Sequence, residues 1–135
     1  MLKMIYVNLP VKDLTKAIEF YKALGFTLNP DFTNDVGAYL AWSDTIVVML
    51  LTHDFYKKFI GTKMIADSQI SSEVLLSLSI ESKAEVDAYV KKAVDNGGKL
   101  LPVAEIPGAE GMYFRDVEDL DGHILEFGYM ELLAN

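Results

Sequence analysis

Residues 3–25 read KMIYVNLPVKDLTKAIEFYKALG, and residues 74–98 read VLLSLSIESKAEVDAYVKKAVDNGG. Each stretch passes from period-two to helical apolar spacing at a capping residue, and this change decides the fold. In the first, Ile5, Val7, Leu9 and Val11 form one apolar face, with Tyr6, Asn8 and Pro10 on the other. Asp13 stands as an N-cap, Leu14, Ala17, Ile18, Tyr21 and Leu24 recur at helical spacing, and Gly25 stops the helix. In the second, Val74, Leu76, Leu78 and Ile80 alternate with Leu75, Ser77 and Ser79. Ser82 to Glu85 is a capping box, and Gly97-Gly98 is the stop.

Strands follow each helix. Phe26 to Leu28, Gly37 to Trp42 and Thr45 to Thr52 follow the first, divided by Asn29-Pro30 and Ser43-Asp44. Lys99 to Ala104, Gly111 to Asp116 and Gly122 to Met130 follow the second, the last two joined by the turn Asp119 to Gly122. The chain therefore repeats strand–helix–strand–strand–strand. The two caps, Asp13 and Ser82, lie 69 positions apart (82 − 13), which aligns Tyr6 with Leu75 and Asn8 with Ser77. The last strands align at an offset of 77 (126 − 49), which places Met49 over Glu126. The expected architecture is α+β. Two tandem βαβββ modules form a curved mixed, mostly antiparallel sheet, with helices on the convex side and a concave ligand cleft. One domain covers residues 1–135, made of module 1–52, connection 53–72 and module 73–135. The connection is expected to hold a short helix near Asp54 to Phe59 and otherwise to be a mobile polar segment.

Composition removes several classes of function. Cysteine is absent, which excludes disulfides, thiolate metal sites and cysteine nucleophiles. The net charge is −8, and Arg115 is the single arginine among twelve basic residues, a poor surface for nucleic acid. No apolar run approaches the roughly 20 residues of a membrane helix. The N-terminus enters a strand directly, without a signal-peptide pattern. A cytoplasmic location is the expectation.

The segment Tyr6 to Leu14, with Ala17-Ile18-Glu19-Phe20-Tyr21 and Leu24-Gly25-Phe26, resembles the opening of the vicinal-oxygen-chelate superfamily. That superfamily includes glyoxalase I, bleomycin-resistance proteins and extradiol dioxygenases. Asp119 to Glu126 resembles its terminal motif, and Asn96-Gly97-Gly98 its helix stop. Nearly the whole chain takes part, and the resemblance is nearest to a small bacterial branch described as predicted lactoylglutathione lyases. It implies a homodimer and a divalent metal held by first-strand and last-strand side chains of each module. Those positions are Tyr6, Met49, Leu75 and Glu126 here, with Leu50 replacing Met49 if the strand slips by one. Only Glu126 suits a hard cation, because Met and Leu do not ligate one and a neutral Tyr ligates it poorly. No cofactor is therefore expected.

His123 lies three residues before Glu126 and so on the opposite face of the strand, while His53 falls beyond the fourth strand. Both read as partly exposed histidines rather than ligands. Asp116, Glu118, Asp119 and Asp121 miss the calcium-loop register, since Val117 stands where the first acid belongs, and they read as a solvated hairpin turn. Ser77 and Ser79 have no base at nucleophile spacing. Arg115 suits an anionic ligand as a guanidinium clamp, but it reads rather as a surface partner of a neighbouring acid. Trp42, Phe55, Tyr56 and Phe59 are either core aromatics or the lip of the cleft.

By alternation, Tyr6, Asn8, Met49, Leu51, Leu75, Ser77, Ser79 and Glu126 face the cleft, mixing apolar walls with a few polar groups. Glu126 is either a desolvated general acid or base, or a carboxylate paired with a donor, for which Tyr6 is the nearest candidate. The expected function is small-molecule binding in the manner of bleomycin-resistance proteins, with no metal. The alternative is a lactoylglutathione lyase-like lyase or isomerase that uses Glu126 as base or metal ligand.

Overall fold

The computed structural model describes residues 1–131. The chain divides into two compact units, Met1–Asp67 and Ser68 onward. Each contains one βαβββ module of an α+β fold, with its own four-stranded mixed sheet.

In the first unit β1 (Ile5–Val11) leads into α1 (Leu14–Ala23), β2 (Thr27–Asn29), β3 (Gly37–Ala41) and β4 (Ile46–Thr52). The sheet order is β1-β4-β3-β2, with β1 and β4 parallel and the other pairs antiparallel. Asp13 caps α1 as its spacing predicts, its carboxylate accepting from the Lys16 N–H at 3.0 Å. The helix side of the sheet carries Leu9, Val11, Leu40 and Leu50, all nearly inaccessible. Phe20, Tyr21 and Phe26 continue this core, and the half-buried Trp42 packs at its edge, through ring contacts of 5.4, 5.2 and 5.1 Å. Ile5 keeps the strand face of Val7 and Leu9 but is 55% exposed. A ten-residue helix spans only ~15 Å and a seven-residue strand ~23 Å, so α1 cannot roof the whole of β1.

A short helix, α2 (His53–Lys57), follows β4, with Thr52 as its cap. Phe55 packs edge-on against Phe59 at 5.1 Å, and Phe59 is exposed. The expected mobile connection ends in anchored residues. The Ser68 hydroxyl donates to the Asp121 carbonyl at 2.6 Å, and the Gln69 amide donates to the Leu120 carbonyl at 3.4 Å.

The second unit repeats the order as β5 (Leu75–Ser79), α3 (Lys83–Asp95), β6 (Lys99–Leu100), β7 (Met112–Glu118) and β8 (Ile124–Met130). Its sheet runs β5-β8-β7-β6, with β5 and β8 parallel. The Ser82 hydroxyl accepts from the Glu85 N–H at 3.1 Å, and the Gly98 N–H closes on the Ala93 carbonyl at 2.8 Å. β6 is shorter than the expected Lys99 to Ala104, because Pro102 has no N–H to extend the ladder. Helix and sheet meet through Tyr89 stacked on Phe127 at 5.2 Å and the Tyr113 hydroxyl donating to Asp87 at 2.7 Å.

The Asp119 to Gly122 turn is not solvated as its acidity suggests. Asp119, Asp121 and His123 are all buried. One Asp119 oxygen accepts from the Asp121 and His123 N–H groups, each at 2.9 Å, so the carboxylate closes the hairpin. His123 is thus not the partly exposed side chain its position implies. Gly122 has φ +90°, and a Cβ there would overlap the Ser68 carbonyl.

Candidate functional site

Strand register sets the site. In the second unit Ser77 stands opposite Glu126, and Glu126 opposite Asp116, so three polar side chains form a row across β5, β8 and β7. The row lies on the face away from α3, since Phe127 and Tyr113, which meet that helix, alternate with it. In the first unit the corresponding row is Asn8, Met49 and Tyr39. The sequence offsets recur in this match: 77 − 8 = 69 for the first strands, and 126 − 49 = 116 − 39 = 77 for the others. One module presents an amide, a thioether and a phenol. The other presents a hydroxyl and two carboxyl groups.

The Ser77 hydroxyl donates to Glu126 Oε1 at 2.8 Å. Asp116 hydrogen-bonds Glu126 from the other side, while its own Oδ1 is sealed from solvent without a partner. Burial, then the Glu126 hydrogen bond and its charge, push the Asp116 carboxyl up from 3.8 to about 6. Two adjoining carboxyl groups share a proton more cheaply than they share two negative charges, so below about pH 6 the proton rests on Asp116.

Beside this row lies a groove of about 880 Å³. Ser77, Ser79, Glu81, Glu126 and Tyr129 supply its polar groups, and Met112, Phe114 and Met130 supply apolar wall. Gly128, opposite both Ser79 and Phe114, contributes no side chain to fill it. Leu75 shares the strand face but stands opposite Ile124 and is 49% exposed.

The residues expected from the first half have their own arrangement. Tyr6 packs edge-on to Tyr39 with centroids 6.0 Å apart, and Phe32 lies 5.7 Å from Tyr39 on that ring's other contact. Burial, then the charge and hydrogen bond of Tyr6, raise the Tyr39 phenol above its usual range. The Tyr6 phenol is thus engaged by Tyr39, and the hydroxyl that Glu126 receives comes from Ser77. Asn8 stands opposite Met49 in register, and its amide donates to the Tyr6 carbonyl at 3.4 Å. Leu51 is buried opposite Gly37, and Leu50 points to the helix side opposite Leu9, so Met49 rather than Leu50 occupies the face in question. Arg115 pairs with no acid among the described residues. It donates to the Phe114 carbonyl at 2.7 Å and lies 4.1 Å over the Tyr113 ring, on the helix side.

Asp116, Phe114, Met112 and Met130 are absent from the sequence-based site. The signal for them exists in the β7–β8 hairpin. A turn centred on Asp121 brings Met112 to Met130, Phe114 to Gly128 and Asp116 to Glu126 by counting alone.

The donor set does not fit a divalent metal. Of Tyr6, Met49, Leu75 and Glu126, only Glu126 carries a hard anionic oxygen. Among the described residues no group of three or more His, Cys, Asp or Glu side chains is arranged to hold a metal ion. Among the same residues, no helix is long and apolar enough to cross a membrane.

Comparison with known proteins assigns the fold. The profile of the Glyoxalase/Bleomycin resistance protein/Dioxygenase superfamily matches residues 3–127. Functionally curated proteins give no match. A solved hypothetical protein of S. aureus is similar, with 29% identity, TM-score 0.77, and coverage of 96% of this chain and 95% of that one. A glyoxalase-related enzyme of Fulvimarina pelagi has 24% identity and TM-score 0.75, covering 96% of this chain and 88% of its own. The fosfomycin resistance protein FosX of Listeria monocytogenes, complexed with Mn(II) and sulfate, has 18% identity and TM-score 0.69, covering 99% and 94%. These proteins, too, resemble this chain over almost all of its length. The repeated βαβββ module and the match over residues 3–127 establish that the chain belongs to the Glyoxalase/Bleomycin resistance protein/Dioxygenase superfamily.

Proposed function

We propose that this chain binds a small organic molecule in the groove of its second module, without a metal ion, and that Glu126 is its polar anchor. The observation that carries this reading is Glu126 at the groove, fixed by Ser77 and Asp116 on its two sides, with Met112, Phe114 and Met130 beside it. A ligand site of this kind needs mostly apolar walls and a few polar groups whose positions are already set. The poor donor set supports the metal-free reading. Bleomycin-resistance proteins, which share the superfamily name, are the functional comparison.

A ligand-observed NMR screen of a fragment collection tests it, with Glu126→Gln as the comparison. Hits that weaken in the variant and perturb the Met112 and Met130 methyl signals support the reading. A screen whose hits ignore both the substitution and those methyls contradicts it.

The acid–carboxylate pair supports a second reading, a lyase or isomerase of the glyoxalase type. A carboxylate beside a proton-bearing acid has the parts for moving a proton to and from a substrate carbon. A hemithioacetal isomerase assay, with loss of turnover in Glu126→Gln, distinguishes enzyme from binder. The proposal also takes the chain as a cytoplasmic homodimer. The absence of cysteine supports the compartment, and the family resemblance together with the exposed Ile5, Tyr6 and Phe32 supports the dimer. Light scattering of the purified protein decides the latter.

A further inference from the structure

Resting on the binding groove proposed above, we infer that its ligand is an organic cation with an apolar body, that Glu126 is the counter-ion, and that Asp116 is the residue positioning Glu126.

The charged residues lining the groove are Glu81 and Glu126, with no Lys, Arg or His among the described lining residues. The one arginine is turned to the other face of the sheet, over Tyr113. An anionic ligand would meet repulsion there with no compensating donor, in a chain of net charge −8.

Asp116 Oδ1 is buried and unpartnered. An orphaned oxygen is far more costly on a carboxylate than on a neutral acid. Below about pH 6 Asp116 therefore holds the proton and donates it towards Glu126, leaving one negative charge on that groove residue. Ser77 occupies Oε1 from the other strand. Glu126 is thus held between two donors, and its remaining lone pairs suit the N–H groups of an ammonium.

Phe114 offers a ring face, and Met112 and Met130 offer polarizable thioethers that adapt to alkyl or aryl groups. The alternating face thus pairs one fixed anion with an apolar wall, which matches an amine carried on a hydrocarbon.

Three probes with the same phenethyl body isolate the charge: phenethylammonium, phenethyl alcohol and hydrocinnamate. Titration of the full chain at about pH 5.5, followed at the Met112 and Met130 methyl signals, is expected to give about tenfold tighter binding of the ammonium than of the alcohol, and no binding of hydrocinnamate. Glu126→Gln reduces the ammonium to the level of the alcohol. Asp116→Asn, which keeps a donor beside Glu126, retains the preference, whereas Asp116→Ala loses most of it. If Asp116→Ala does not fold, Ser77→Ala removes the opposite donor and is expected to lower the preference in the same way. Equal binding of ammonium and alcohol, or a preference for hydrocinnamate, overturns the cation inference and leaves the binding groove standing. Failure of all three probes to move either methyl overturns both. Retention of the full preference in both Ala variants removes the positioning role.

Discussion

Asp116 and Glu126 face each other across the β7–β8 ladder, and burial together with the Glu126 carboxylate raises the Asp116 carboxyl to about 6. The corresponding positions of the first module are Tyr39 and Met49, which carry no such demand. The two halves of the repeat have therefore kept one backbone and separated in chemistry. The polar anchor belongs to the second module, and the aromatic contacts of Tyr6, Phe32 and Tyr39 belong to the first.

The raised Asp116 carboxyl makes stability depend on pH in a definite direction. With its value moved from 3.8 to about 6, the folded chain keeps a proton that the unfolded chain releases between those limits. Stability therefore falls as pH rises through that window and stays lower above it. Asp116→Asn removes the effect. Its melting temperature should exceed that of the parent at pH 8, by the equivalent of about 1 kcal/mol once solvent screening of a partly exposed pair is allowed for. The difference should vanish near pH 4, and thermal scans at the two pH values check it.

Ser77→Ala deletes the hydroxyl that orients Glu126 Oε1. Ser77 is exposed, so the fold should lose less than about 1 kcal/mol. Affinity for any ligand that needs Glu126 should drop severalfold, as measured by titration calorimetry beside urea unfolding.

Asp119→Ala strips the β7–β8 turn of the acceptor for two buried N–H groups, those of Asp121 and His123. A cost of roughly 2–4 kcal/mol is expected, from two donors left without that partner. Urea denaturation should show the loss with little change in the slope of the transition.

Gly122→Ala meets two obstacles together, a positive φ and the carbonyl of Ser68. Strain of about 1–3 kcal/mol is expected. Proteolysis should become faster near Ser68 and Gln69, whose hydrogen bonds to this turn hold the end of the connection.

Much of the fold was legible because its signals are local. The Asp13 and Ser82 caps, the change of apolar period and the two offsets of the repeat all reappear in the strand register. Glu126 was legible as the one carboxylate among Tyr6, Met49, Leu75 and Glu126. Asp116 was not, because its type matched the acidic turn beside it, and only the hairpin count moves it next to Glu126. His123 and the turn aspartates misled for the same reason. Polar letters near a glycine turn suggest solvent, but here the carboxylate of Asp119 is spent on backbone N–H groups inside the protein. The groove wall of Met112, Phe114 and Met130 depends on pairing between β7 and β8, which no single-strand pattern displays.

Metal content per chain tests the central claim most directly. The purified protein would be incubated with Ni, Zn, Mn and Fe salts, desalted and subjected to elemental analysis. A groove anchored by Glu126 alone predicts metal far below one atom per chain, with ligand binding unchanged by a chelator. Close to one tightly held metal per chain, lost in Glu126→Gln, would contradict the account.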